Sequence, residues 1–429
     1  MLFFSIHYRT MKQIFSKLAV LICACATFAA CQSGEAGKAG TIKTPETSKL
    51  FEKRVDSISG VVSYALKYGA PDDNRQSLYF VTKSMTEDGR FLVFMYTEGN
   101  EKKGHGPRHI MVADLLKEEV FDLGEIRMTP FIETREDYMV YGDVTKGFFR
   151  RDFATPDQEV KLCDIPEALT SLGRIRSLAT HMTMTQDRKK AFLDLSLTTP
   201  EGKTRYLQGL LDVTTGEWEP WGETEWICNH GQLNPVDDNL AMCAWESAWE
   251  AMGRAYQDST GWYPRMWLVR KGSKTLIPAE ARNFASHEIW DDDGKGLSWC
   301  GHGQMIEEDC VYHLDLETGR QEVWAKVPGA RHNNCSPDNK YVVCDQAPER
   351  WWRGCRWRVA FWNRETEKYV WIYSTRDALM PQNNPSTLHP DPHPHFVMNG
   401  RYVVSTANNA DGHMDLFVTP VDQLIEMTK

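Results

Sequence analysis

Three imidazoles and a carboxylate fall within a few residues of one another near the C-terminus, in His389-Pro390-Asp391-Pro392-His393-Pro394-His395. The intervening prolines hold the backbone extended, so residues two apart point the same way and can share one ligand. Imidazole and carboxylate are both metal donors, and the chemistry this stretch suits is coordination of a divalent cation. His393 stands six residues before the turn residue Asn399. The same interval separates His332 from Asp338, His287 from Asp293 and His181 from Asp187, so four histidines share one structural position.

The elements that must hold them are short strands behind small turns. Asp88-Gly89-Arg90 precedes Phe91-Leu92-Val93-Phe94, Asp293-Gly294-Lys295 precedes Leu297-Ser298-Trp299, Asp338-Asn339-Lys340 precedes Tyr341-Val342-Val343, and Asn399-Gly400-Arg401 precedes Tyr402-Val403-Val404. Aligning the turns places equivalent first-strand positions near Thr82, Thr129, His181, His230, His287, His332 and His393. Recurrence at roughly 45 to 50 residues, with several short strands per unit and little helical pattern, predicts an all-β, seven-bladed β-propeller. The second unit, around Thr129 to Leu162, has the poorest turn chemistry. The last has few strands of its own, so Gly60 to Tyr68 is expected to complete its sheet. The first strand of a blade is innermost, so histidines from five blades converge on one mouth of the central channel. One such histidine is ordinarily a hydrogen-bonded structural residue. Five at equivalent positions point to a site.

The chain has 429 residues, 41% of them hydrophobic, enough for a large core. Its net charge of −10, with no long Lys/Arg run, argues against a nucleic-acid partner. Lys12 and Lys17 precede an apolar run from Leu18 to Ala30, shorter than the ~20 residues of a spanning helix. Phe28-Ala29-Ala30-Cys31 then resembles a bacterial lipobox. The expected organisation is a signal peptide over 1–31, a flexible tether over 32–48 rich in Gly, Ser, Thr and Lys, and the propeller over 49–429. The expected location is the periplasm or outer membrane of a Gram-negative bacterium, with membrane contact only through a lipid on Cys31. Of 11 cysteines, Cys23, Cys25 and Cys31 belong to the leader; Cys300 and Cys310 either flank a hairpin and pair or stay free. Oligomeric state is open.

Several segments carry a family resemblance: Ser77-Leu78-Tyr79-Phe80 through Met85-Thr86-Glu87-Asp88-Gly89; His230-Gly231-Gln232-Leu233-Asn234-Pro235 through Glu246; Arg265-Met266-Trp267-Leu268-Val269; Ser286-His287-Glu288-Ile289-Trp290; and the His/Pro cluster. Through them the chain resembles the oligogalacturonate lyases, seven-bladed propellers that degrade short pectin fragments. The resemblance implies a divalent metal, Mn2+ first with Ca2+ or Zn2+ as alternatives. It is held by the histidine of the His-Glu-aromatic segment, here His287, and by a final-blade histidine, here His393. The family's second final-blade histidine falls on Asp391 and its glutamine on Leu388, beside His389. The implied ligand set is therefore His287, His389, Asp391 and His393, with His395 on the opposite face. The family's Phe-Cys-His-Glu-Gly segment matches Cys243-Ala244-Trp245-Glu246-Ser247, so Trp245 stands where the histidine proposed as base belongs, and Glu246 is kept.

The implied activity is β-elimination from a uronic-acid-containing, pectin-like oligosaccharide. The C5 proton is removed once the neighbouring carboxylate is neutralised, and the O4 leaving group departs. Candidate bases are His230 and His332, with His181 and Tyr263 behind them. Arg265 and Arg331 could grip a carboxylate. The aromatic segments Trp245 to Tyr263 and Glu349 to Trp357 suit sugar rings, which makes Trp245, Glu246, Tyr263, Arg331 and Trp352 the expected substrate contacts and Arg265 a catalytic partner. The alternatives are elimination on another acidic sugar, a glycan-binding propeller lipoprotein that has lost catalysis, or an interaction propeller. There is no Gly-x-Ser-x-Gly hydrolase elbow.

Overall fold

Alternation along the strands decides how the sheets stack. In Tyr341–Gln346, Val342 and Cys344 pack against Cys300 and Val311 of the preceding sheet, while Val343 packs against Phe396 and Val403 of the following one. A strand that is apolar on both faces needs a sheet on each side, and a ring of sheets supplies that without an exposed face. The computed structural model describes residues 40–99, 108–246, 264–279, 284–302, 308–346, 358–374, 391–408 and 413–429. The signal-like run, Cys31, His389, Tyr263 and Trp352 lie outside them.

Residues Ile42–Lys429 form one compact unit. Its strands make seven small antiparallel sheets, the seven blades of a β-propeller, numbered here in chain order. Blade 4, for example, runs Cys228–Leu233, Ala241–Trp245, Met266–Arg270 and Ser273–Leu276. Each of seven buried clusters joins two neighbouring blades, so the core is a chain of interfaces rather than one centre. Blade 7 closes the ring: Val62–Leu66 pairs with Met414–Pro420 beside His395–Val397 and Tyr402–Asn408, and Phe51–Val55 adds a fifth strand outside. A buried ion pair between Arg75 of blade 1 and Asp415 of blade 7 (2.7 Å) spans the closure.

The weak second unit is a complete blade, Phe131–Glu133, Tyr138–Asp143, Gly147–Asp152 and Glu159–Cys163. Its first turn ends on Asp137 at φ 58°, an αL position that Asp tolerates in place of glycine, so the turn forms without the usual glycine signal. Blade 1 departs from the expected pattern. Its innermost strand is Asn74–Gln76, ahead of Thr82, because Ser77 is drawn off by Thr406 Oγ1 and the Pro392 carbonyl (2.9–3.0 Å). Tyr79 and Phe80 enter the channel instead. Cys300 and Cys310 lie on adjacent strands but one register step apart, and both are free.

Candidate metal and catalytic site

One backbone device repeats in blades 4, 5 and 6. Between Asn229 and Gln232, Ser286 and Ile289, and Ala330 and Asn333, the innermost strand carries one residue more than its partner. A bulge of this kind bends the strand and re-aims the side chain at the extra position. His230, His287 and His332 occupy these bulges. His230 and His287 adopt φ 52° and 58°, and His393 adopts 45°, in the left-handed region that non-glycine residues rarely occupy. In blades 5 and 6 the bulge, the strand end and the six-residue turn match, which accounts for the offset shared by His287 and His332.

Two of these histidines come together with Asp391. The ligand atoms of His332, Asp391 and His393 all lie within 4.8 Å of one another, and all three residues are buried. His332 Nε2 is 3.7 Å and His393 Nε2 3.9 Å from Asp391 Oδ2. Two atoms each about 2.1 Å from one tetrahedral ion stand roughly 3.4 Å apart, so a small contraction would bring this group onto a cation. Behind it, Asp345 accepts from His332 Nδ1 (2.9 Å), which directs the Nε2 lone pair inward, as metal-bound histidines require. Asp345 also accepts from the backbone N–H groups of His332 (2.9 Å) and His393 (3.2 Å). Burial opposes charge on His332, but Asp345 and Asp391 outweigh it and raise its pKa. Burial, offset by His332 and reinforced by Asp345, pushes Asp391 up to about 7. Two buried carboxylates thus flank one imidazole, with the Arg331 cation acting on the same group. The His287 ring lies 3.9 Å from that of His332, and its Nδ1 makes no hydrogen bond among the described residues.

A second group adjoins the first. His230 Nε2 lies 3.2 Å from Glu246 Oε2, which Arg265 Nη1 also approaches at 3.2 Å. Arg265 is also paired with the fully buried Glu288. Burial would raise Glu246, but Arg265 and His230 hold it well below the usual carboxylate range. Burial, then the neighbouring imidazole, lowers His181 well below its ordinary value beside His230 and His287 likewise beside His332.

Tyr79 and Phe80 fill the space between. Tyr79 stacks on His181 (4.4 Å, 10°) and meets His393 at 4.7 Å, His332 at 5.7 Å and His230 at 6.0 Å. Phe80 contacts His287, His332 and His393. Burial, then Glu246 and Glu288, raises the Tyr79 phenol well above its ordinary value.

Compared by sequence, no protein-family model and no curated protein matches the chain. Compared by structure, it is similar to an oligogalacturonate lyase in complex with manganese, with a TM-score of 0.68, 19% identity, and 86% of this chain and 96% of that one covered. An oligogalacturonate lyase from Vibrio parahaemolyticus gives 0.67 at 19% identity with the same coverage. The fold is that of the oligogalacturonate lyases.

Against that fold, the residues singled out from sequence divide. His287, Asp391 and His393, expected as ligands, meet at the channel, and His332, expected as a base, stands among them as part of the donor group. His389 lies outside the described residues. His230 and Glu246 are paired beside this group. Arg265, expected to engage a substrate carboxylate, is instead 2% exposed and already divided between two glutamates. Arg331 is likewise committed, donating to Asp309 (2.8 Å), His302 Nδ1 (2.9 Å) and the Ala330 carbonyl. Trp245 continues the face of its strand that carries Ala241 and Cys243, and stacks on Trp226 (5.2 Å, 27°), which in turn meets Trp267. Its ring is thus packed between neighbours, and the half-exposed Glu246 is the member of that pair turned to His230. His395 faces away, bonded to Ser84 (2.7 Å).

Sequence reasoning missed Asp345 and gave Tyr79 no role. Asp345 had a signal: a lone carboxylate ending the apolar run Tyr341 to Cys344 needs a buried partner. Tyr79 had none. Ser286, His302 and Asp309 have the composition of a hydrolytic triad, with Ser286 Oγ 2.7 Å from His302 Nε2. Arg331 can only donate, so His302 Nδ1 accepts from it and Nε2 carries the proton, the wrong tautomer to activate a serine.

Proposed function

We propose that the protein is a metal-dependent lyase that cleaves uronic-acid-containing oligosaccharides by β-elimination. The observation that carries this is the buried donor group His332, Asp391 and His393 standing beside the His230–Glu246 pair in one channel. Two imidazoles and one carboxylate suit manganese or zinc better than calcium, which prefers an all-oxygen shell. His332, Asp391 and His393 would hold the ion, with His287 adjoining as a fourth donor and Asp345 fixing the His332 tautomer. When bound, the ion supplies the positive charge that neutralises the uronate carboxylate and acidifies the C5 proton. Glu246 Oε2, 3.2 Å from His230 Nε2, holds the imidazole beside the donor group, where it would act as the base. Arg265 holds Glu246 and Glu288 in place and acts on the chemistry through Glu246.

The substrate on this reading is an acidic oligosaccharide, met outside the cytoplasm by a protein anchored through a lipid on Cys31, with no nucleic-acid partner. The test is the ultraviolet absorbance of the unsaturated uronide product over a panel of oligouronides, with and without chelator and with metal restored. A rise that disappears with chelator and returns with manganese supports the proposal. A second reading, a glycan-binding propeller without catalysis, is favoured by the commitment of Arg265 to two glutamates. Metal-dependent binding of the same oligouronides with no product over the whole panel would establish it instead.

A further inference from the structure

Elimination needs a proton donor as well as a base, because a sugar alkoxide is a poor leaving group. Among the described residues of the channel, most groups are committed elsewhere. His332, Asp391 and His393 form the donor group for the ion, Glu246 is a carboxylate held between His230 and Arg265, and Arg265 is shared between two glutamates. His181 lies flat beneath Tyr79. The phenol of Tyr79 is left, an O–H donor on a partly covered ring, since His287 adjoins the donor group for the ion.

Its position fits that task. The ring bridges the two groups, 6.0 Å from His230 on one side and 4.7 Å from His393 on the other. It is anchored at both ends of its segment. Ser77 bonds to Thr406 and Pro392, the Tyr79 carbonyl accepts from Thr82 N (2.8 Å), and the Phe80 carbonyl accepts from Asn334 Nδ2 (3.3 Å). A purely structural ring stacked on His181 would need no hydroxyl, and Tyr79 keeps part of its surface open to the channel.

From this geometry we infer that Tyr79 is the catalytic residue that protonates the O4 leaving group, a role that rests on the lyase reading above. His230 takes the C5 proton, the released electron pair forms the C4=C5 double bond, and the C4–O4 bond breaks. O4 takes the phenolic proton of Tyr79. The tyrosinate is reprotonated, and the His230 imidazolium returns its proton, through solvent.

Tyr79→Phe keeps the ring and its stack on His181 and removes only the donor. In the full-length protein the variant is expected to keep its bound manganese and its melting temperature while kcat on an oligouronide falls by roughly 10²- to 10⁴-fold, the usual share of a positioned acid. Run in D2O, unreacted substrate recovered from the variant should carry deuterium at C5, because abstraction continues while expulsion stalls. Elimination within a few-fold of the parent overturns the assignment. Loss of C5 exchange together with elimination also overturns it, since Tyr79 would then act in the abstraction step. If the parent itself gives neither product nor exchange on any oligouronide, the lyase reading falls and the role of Tyr79 with it, a failure seen without any variant.

Discussion

Asp345 is where a small change should cost most. Its carboxylate is fully buried and takes three donors: Oδ1 accepts the His332 backbone N–H at 2.9 Å, and Oδ2 accepts His332 Nδ1–H at 2.9 Å and the His393 backbone N–H at 3.2 Å. Asp345→Asn preserves the shape but turns one acceptor into a donor. With the NH2 in place of Oδ1, the His332 backbone N–H is orphaned. With the NH2 in place of Oδ2, the His393 N–H is orphaned and His332 must take the other tautomer, presenting Nε2–H to Asp391 where a lone pair is needed. An unsatisfied buried donor costs about 1–3 kcal/mol of stability. Losing the carboxylate behind a metal-bound histidine typically costs 10- to 100-fold in affinity, about 1.4–2.7 kcal/mol. Competitive titration of manganese against a chromophoric chelator reads the affinity, and thermal unfolding of the metal-free protein reads the stability. A variant that matches the parent in both would refute the donor group and the hydrogen-bond argument together.

Other positions give sharp outcomes. His332→Ala and His393→Ala should each strip the bound ion on dialysis, by elemental analysis, while His287→Ala should weaken retention less, because its ring adjoins the three-residue group rather than completing it. Asp415→Ala leaves Arg75 buried without its carboxylate and should destabilise the closure of the ring by about 3–5 kcal/mol, read by chemical denaturation. Burial and then Asp88, with Arg90 opposing and Asp114 adding, raise Asp137 to about 6. A carboxyl whose folded pKa lies above its unfolded value loses stability as pH rises through about 6. Asp137→Asn, which keeps the αL preference, should therefore raise the stability at pH 7–8 by less than about 1 kcal/mol given its exposure, read by thermal unfolding, and give no advantage below pH 4. A constant offset between parent and variant across that range would contradict the assignment.

Local chemistry along the chain was enough for the architecture. Turn residues, the short β-rich runs behind them and a shared interval from histidine to turn all act over a dozen residues, and a propeller is built from such short-range units. That is why the blades, the closing strand Val62–Leu66 and the convergence of His230, His287, His332 and His393 could be read before the fold was seen. Blade 1 could not, because the hydrogen bonds that divert Ser77 come from Thr406 and Pro392, more than 300 positions away.

The division of labour within the channel belongs to tertiary structure alone. Nothing near Arg265 in sequence says that its charge is spent on Glu246 and Glu288, and nothing near Trp245 says that its ring lies against Trp226. His332 turned from a candidate base into a member of the donor group because its Nε2 faces Asp391 while Asp345 holds its Nδ1. Tyr79 meets histidines of blades 3, 4, 6 and 7 only because blade 1 folds it into the channel. Whether an imidazole serves as ligand, base or buried spacer depends on the one or two charged atoms within about 4 Å of it, where the Coulomb interaction is strong, and sequence order does not encode that distance.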